Sequence, residues 1–503
     1  MGVFCRPIES FNFIHSSCYS GPSFQFLRIG TLFIEDFLNK TCETRNFYIY
    51  KGDEMKSQKR TSHLKINLNK VATAVAIAIP MLSMSAFAEV NVDQEGKPLG
   101  STGSIGLYSN SDTTLRMYGI VEATLSQANN QVVQGQGQNV AGFQTSYFSG
   151  NRLGFDAIHL LPDLGSKLGM PDLQVMAKME SEFELPTGNM DTANVLFNRD
   201  AWMGFYSKSL GKLTFGRQNT LTRDFTNNWG DPYGGAATTL KEGGYSNVNN
   251  FKQLIFYSGG PNSTRYNSAI EWKKEIDSHI IAGLGYKFNS NGAGGSGDVG
   301  NGGSVPGDFA DGNAQAASIA YNNLDLGGAT MNINASLDDA RINKLNHQST
   351  LIGGNVVFSP MIRWNLGFIH YTAQQGANNS IGTRTDDSWT TSLKITPDMY
   401  WEYDIGYQVM KGNNAGFGGS GTTLNPFGNT AGVTKTANGE KDSLYGAVLY
   451  HADKNLDLYV AADTFTMKGG WVVGDAMGNG NKYGVGQVFN GTTEVAVGGR
   501  FKF

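Results

Sequence analysis

The feature that most constrains this 503-residue chain is an alternation of period two that runs to its last residue. In residues 492–503, TTEVAVGGRFKF, Val495, Val497, Gly499, Phe501 and Phe503 fall on one side. Glu494, Ala496, Gly498, Arg500 and Lys502 fall on the other. Successive side chains of a strand point to opposite faces, so this segment has an apolar, aromatic-ended face and a charged one. A soluble sandwich can use such a strand. A strand with hydrocarbon on one side and water on the other fits it better, with an aromatic at the interface.

The pattern recurs. Residues 114–126 read TLRMYGIVEATLS, with about eleven alternating positions, the length a tilted strand needs to cross a bilayer. Similar segments lie at 151–157, 173–185, 200–206, 212–217, 253–257, 266–273, 280–288, 316–322, 329–337, 349–358, 362–371, 388–396, 400–410, 443–451 and 456–465. With the closing segment they make seventeen candidates, and the region 252–288 parses least cleanly. Closed barrels of this kind take an even number. The expected fold is therefore all-β, a transmembrane antiparallel barrel of sixteen strands, with eighteen as the alternative. Short connections (207–211, 359–360, 396–398, 452–455) interleave with long Gly/Asn/Ser-rich ones (289–315, 411–441, 468–491). That is the asymmetry of an outer-membrane barrel, with its long loops outside the cell.

The front of the chain supports export. From Met55, the basic residues Lys56, Lys59, Arg60, Lys65 and Lys70 precede an apolar run at 71–84 and the small-residue site Ala86-Phe87-Ala88. Residues 55–88 therefore read as a signal peptide. The apolar run falls short of the roughly 18–20 residues that a spanning helix requires. Residues 1–54 are expected to be a non-native upstream extension, with Met55 as the true start, because Lys51-Gly52-Asp53-Glu54 can be encoded by a purine-rich ribosome-binding run. Residues 89–113 form a polar lead and 114–503 the barrel domain.

Cleavage after Ala88 would leave 415 residues and no cysteine, since Cys5, Cys18 and Cys42 all precede it. That excludes a disulfide framework and thiolate metal sites. The chain's 39 Lys+Arg and 43 Asp+Glu lose 10 and 6 to the leader, leaving 29 and 37, a net charge of −8. This gives no support to nucleic-acid binding. The remaining histidines (His159, His279, His347, His370, His451) are scattered without metal-ligand spacing, and no GxSxG elbow occurs. The match of GFGGSG at 416–421 to a dinucleotide fingerprint opens no helix. No enzyme, cofactor or metal is expected.

Several motifs in order resemble the general Gram-negative porins of β-proteobacterial and neisserial type. They are LRMYGIVEA (115–123), NRLGF (151–155), MESEF (179–183), LFNRDAWMG (196–204) and LGKLTFGRQ (210–218). Gly498, Phe501 and Phe503 look like the closing signal read by the barrel-assembly machinery. The resemblance covers the first third and the last strand well, and the middle only in style. It implies a homotrimer of sixteen-stranded barrels in outer-membrane lipid. Each would pass small ions and hydrophilic solutes, with a third loop (219–250) folded into the pore. Carried over by motif, Arg152 and Arg217 match basic wall positions. Arg265 is a looser third match, with Lys252 competing. Facing them on the loop would stand Asp224, Asp231 and Glu242. By parity Arg116, Glu122 and Arg500 also point inward. Trp202, Tyr206, Trp272, Tyr371, Trp389, Trp401, Tyr450 and Phe503 are expected in interfacial girdles. The physics of such a pore needs a narrow, water-filled constriction with fixed charges. The competing readings are a substrate-specific porin with a binding track, and a barrel whose long loops adhere to a partner.

Overall fold

The computed structural model describes residues 104–133, 136–144, 146–148, 150–228, 265–288, 312–416, 430–470, 472–474 and 488–503. The expected leader, the upstream extension, the candidate strand at 253–257, Asp231, Glu242 and Lys252 lie outside the described residues.

The chain folds into β1 (Ile105–Ser109), β2 (Thr113–Val133), β3 (Gln136–Gln144), β4 (Asn151–Leu160), β5 (Gln174–Phe183), β6 (Asp200–Ser207) and β7 (Gly211–Asn219). There follow β8 (Arg265–Glu275), β9 (Ile280–Lys287), β10 (Ala314–Asp325), β11 (Thr330–Ile342), β12 (Leu345–Ser359) and β13 (Ile362–Gln375). The last third holds β14 (Gly382–Ile395), β15 (Trp401–Gly416), β16 (Thr436–Asp453), β17 (Leu456–Gly469), β18 (Val473–Gly474), β19 (Val488–Phe489) and β20 (Gly491–Lys502). Among the described residues, two helices of more than one turn interrupt the strands, α1 (Pro162–Leu168) and α2 (Leu221–Asn228).

All pairings in the main sheet are antiparallel, and its ends meet. β3 and β4 lie along the same edge of β2, opposite its upper and lower halves, and so form two lengths of one stave. The short β1 shares the other edge of β2 with β20. The sheet therefore contains eighteen strands but sixteen staves: β2, β3 with β4, β5 to β17 in order, and β20. Among the described residues, strands β18 and β19 pair with each other alone. Each of the sixteen expected segments that falls within the described residues is a stave.

Closure runs from Ile120 opposite Lys502 to Ala128 opposite Glu494. Beyond it Gly119 and Phe503 exchange two backbone hydrogen bonds, of 2.6 and 3.1 Å. Closure satisfies both edges at once, which hydrocarbon demands because it offers no hydrogen-bond partners. Many staves outrun the bilayer: β2 has 21 residues and β16 has 18, against the roughly 9–11 needed to cross. The expected long loop at 411–441 is accordingly shorter, because β15 and β16 extend into it. At the same end, β11 and β12 are joined by Asn343 and Lys344 alone. Both have positive φ (51° and 64°), the backbone shape of a tight two-residue hairpin turn.

The two faces divide by polarity. Leu125, Met203, Leu284, Ile319, Leu337, Ile352, Ile405, Val497 and Phe501 stand exposed on the outside. Glu122, Lys178, Glu180, Glu271, Ser336, Arg384, Asp404 and Arg500 are buried inside. The expected girdle is corrected at three positions, one of them Tyr206, which shares the parity of the inward Trp202. Trp202 precedes the outward Met203 and so faces inward, beneath the Lys212 ammonium 5.1 Å from its ring. Tyr371 alternates with outward strand neighbours and is also buried inside. Trp389 is exposed outside. Trp401 and Tyr450 pack ring on ring at 4.9 Å.

Candidate functional site

The inner wall of β2, β4, β5 and β6 carries a lattice of opposite charges centred on Glu180. Alternation on β5 turns Lys178, Glu180 and Glu182 to the same side. Lys178 lies 3.6 Å from Glu180 and 3.0 Å from Asp200 on β6. Arg199, one residue before β6, donates to both Glu180 and Glu182. Tyr118 on β2 donates to Glu180 at 2.8 Å, and the Lys178 ammonium sits 5.5 Å from its ring centroid. Arg152 on β4 reaches to 4.0 Å from Glu180 and bonds the Gly150 carbonyl at 2.9 Å. Arg265, at the head of β8, adds its field to the same carboxylate. Three cations, Lys178, Arg199 and Arg152, thus come within 4.0 Å of one carboxylate at a wall that faces the lumen. Guanidinium groups of this kind keep their charge at any relevant pH.

The second component hangs off the end of β7. Helix α2 packs its buried Leu221 and Phe225, one turn apart, against Ile281, Ala316 and Ala320. These wall positions face inward, since Leu284 and Ile319 on the same strands are exposed outside. The close approach depends on Gly283. A Cβ there would come within 2.7 Å of Phe225 Cε2 and 2.8 Å of Leu221 Cδ1. The described start of the third loop therefore folds into the barrel onto β9–β12, as the resemblance implies. Asp224 of α2 accepts from Lys273 on β8, and from the Asn219 amide at 2.8 Å. Burial pushes the Asp224 carboxyl up, yet the adjacent Lys273 ammonium outweighs it and holds the group below the ordinary carboxylate range. Lys273 also lies 3.1 Å from Glu271.

The other residues expected from sequence fall as follows. Arg152 and Arg265 join the Glu180 lattice. Arg217 sits opposite Ala201 as Phe215 sits opposite Met203, so its register is that of the outward face. A bulge between Gly216 (φ 135°) and Gln218 breaks the pairing there. The Arg217 guanidinium bonds the Asn198 carbonyl at 2.6 and 2.8 Å and the Asn267 side chain. Asp224 meets Lys273 instead of the arginines. Asp231 and Glu242 lie outside the described residues. Arg116 pairs with Asp156 at 2.8 Å and Arg500 with Asp457 at 2.8 Å, both inside. Phe501 and Phe503 stack at 5.7 Å, and Gly498 lies against the ring end of Tyr459.

Lys178, Glu180, Arg199 and Lys273 were not singled out from sequence. Strand parity could have found Lys178 and Glu180, because they alternate with the apolar Ala177 and Met179. Arg199 stands in the LFNRDAWMG motif, one residue ahead of its strand, where alternation gives no signal for it.

Comparison with known proteins agrees with this architecture. A sequence profile of the Gram-negative porin family matches residues 72–470. An outer membrane porin protein of Bordetella pertussis is 26% identical over 187 residues. That alignment covers 36% of this chain and spans 44% of the length of this curated relative. Among solved structures, the anion-selective porin from Comamonas acidovorans superposes with a TM-score of 0.51 at 17% identity, covering 78% of this chain and all of that one; at that identity it speaks to the fold alone. A closed sixteen-stave barrel, apolar outside and ionised within, with the described start of its third loop turned inward, is matched over most of its length by one family profile: this chain belongs to the Gram-negative porin family.

Proposed function

We propose that the chain forms an outer-membrane channel for passive diffusion of small hydrophilic solutes and ions. The observation that carries this reading is the inversion of polarity across the wall. Leu125, Met203 and Val497 meet hydrocarbon, while Lys178, Glu180, Arg199 and Arg500 line the interior. Such a barrel exposes a hydrated path and no chemistry that consumes a substrate.

In this reading the constriction lies beside the Glu180 lattice, narrowed by α2. Arg152, Arg199 and Arg265 supply its fixed positive charge. Asp224 secures the loop to Lys273 instead of facing the arginines across the lumen. The screening length at physiological salt is about 8 Å, so only these nearby charges sort ions, whatever the net charge of the chain. The working unit is a homotrimer, and Gly498, Phe501 and Phe503 form the signal that the barrel-assembly machinery reads. Both statements rest on family likeness.

Reconstitution in a planar bilayer tests the proposal. Large, ohmic conductance that arrives in groups of three steps supports it, and a correctly folded barrel without conductance defeats it. Saturable block by one solute would instead favour a substrate-specific porin.

A further inference from the structure

The lumen is entered from a second side. The register places Thr124 opposite Gln144 and Ile120 opposite Arg152. Four steps along β2 therefore face eight along its partner stave, a net excess of four residues between β3 and β4. The described part of this excursion, residues 146–148, is buried inside the barrel.

Its anchorage is specific. The Glu122 carboxylate, on the inner face of β2, accepts from the backbone N–H groups of Tyr147 and Phe148 at 2.7 and 2.8 Å and from the Tyr459 hydroxyl at 2.8 Å. The Glu122 backbone N–H donates to Asn151 Oδ1 where the chain rejoins the sheet. Tyr147 donates to Asp463 on β17 at 2.6 Å. Phe148 packs edge-on to Tyr459, with ring centroids 4.7 Å apart. Small inward residues make room: Ala461 and Ala496 are buried in this cluster, and Ala447 packs against it.

The excursion therefore lies over β2, β20, β17 and β16, whereas α2 lies over β9–β12. Around the ring, three staves (β13, β14, β15) separate the two covered sectors on one side. Five (β3 with β4, and β5 to β8) separate them on the other. The two inward elements thus stand on nearly opposite walls. The Glu180 lattice occupies the wider uncovered sector between them.

We propose that the Tyr147–Phe148 excursion is a second constriction element, which sets the size limit of the pore together with α2, and that Glu122 is its positioning residue. A preformed turn pinned by a buried carboxylate is rigid, and a rigid aromatic protrusion excludes solutes by size without binding them. This inference rests on the channel reading.

The test is a Tyr147→Ala/Phe148→Ala double variant of the full chain. It is compared with the parent by single-channel recording and by swelling of liposomes in neutral sugars of increasing size. The expected result is a rise in single-channel conductance and an upward shift in the largest sugar admitted. Unchanged conductance and an unchanged size limit would overturn the proposal. If the double variant does not insert, Phe148→Ala alone carries the test with the same readouts. Failure of the parent chain to conduct would count against the channel reading itself, so the two failures are distinguishable.

Discussion

Replacing Phe225 by alanine should release the loop helix from the wall while leaving the barrel intact. Phe225 is fully buried, and it rests on Gly283 and the small side chains of Ala316 and Ala320. Phe→Ala at a buried site costs about 3–5 kcal/mol, because the lost transfer energy adds to that of the cavity left behind. A wall of glycine and alanine in a hydrogen-bonded sheet cannot collapse to refill the space, which points to the upper half of that range. At 1.36 kcal/mol per decade, about 4 kcal/mol lowers the docking equilibrium constant of the loop by roughly three decades. Helix α2 has only eight residues, below the length at which an isolated helix persists in water, so undocking and unfolding of α2 are one event. The assay is single-channel recording, with heat-modifiable mobility on gels as the control for barrel integrity. The variant should show increased open-channel noise and an altered closing voltage, with unchanged gel behaviour. A Phe225→Ala channel whose conductance, noise and closing voltage all equal those of the parent would refute the idea that this contact holds the loop.

Three further outcomes are expected. Arg199→Gln should move the reversal potential in a salt gradient toward cations, and by more than Arg217→Gln, whose register is that of the outer face. The reverse order would place the effective charge at Arg217. Acid should loosen the loop. The Asp224 carboxyl is held below its ordinary value, so the Lys273 pair stabilises docking fully above the unfolded carboxylate range, near pH 4. That contribution disappears as pH falls through the depressed value, so noise should grow only below about pH 4, and Asp224→Asn should abolish the response. Deleting Phe503 should reduce the yield of inserted barrels far more than it changes the conductance of those that form, read by comparing membrane yield with single-channel records.

Most of the barrel was legible because one rule with a period of two governs every stave. The sixteen staves and the closure of β2 on β20 follow from alternation and from the demand that no edge face lipid. The inward elements were harder to read, because each breaks that rule locally. Leu221 and Phe225 make a single helical repeat, too short to register as a period. Their receptor looks like an ordinary strand: Ala316 and Ala320 could as well have faced outward as inward. Tyr147 and Phe148 read as a loop because nothing in TSYFSG announces that Glu122, 25 residues earlier, accepts from its backbone. Motif placed Arg152 and Arg265 on the wall. Arg217 differs because motif and alternation disagree there: it shares the outward parity of Leu213 and Phe215. Arg199 escaped notice because it precedes its strand by one residue, where parity has not yet begun.

The seam between β2 and β20 has one more consequence. Since Phe503 bonds to Gly119 in an unbroken ring, nothing in the wall marks which stave comes first. A peptide link from the end of β20 to the start of β1 or β2 would make the chain circular without disturbing a ladder. New ends could then be opened at the tight Asn343–Lys344 turn. A permuted chain of this kind would test whether closing the ring depends on which stave is made first.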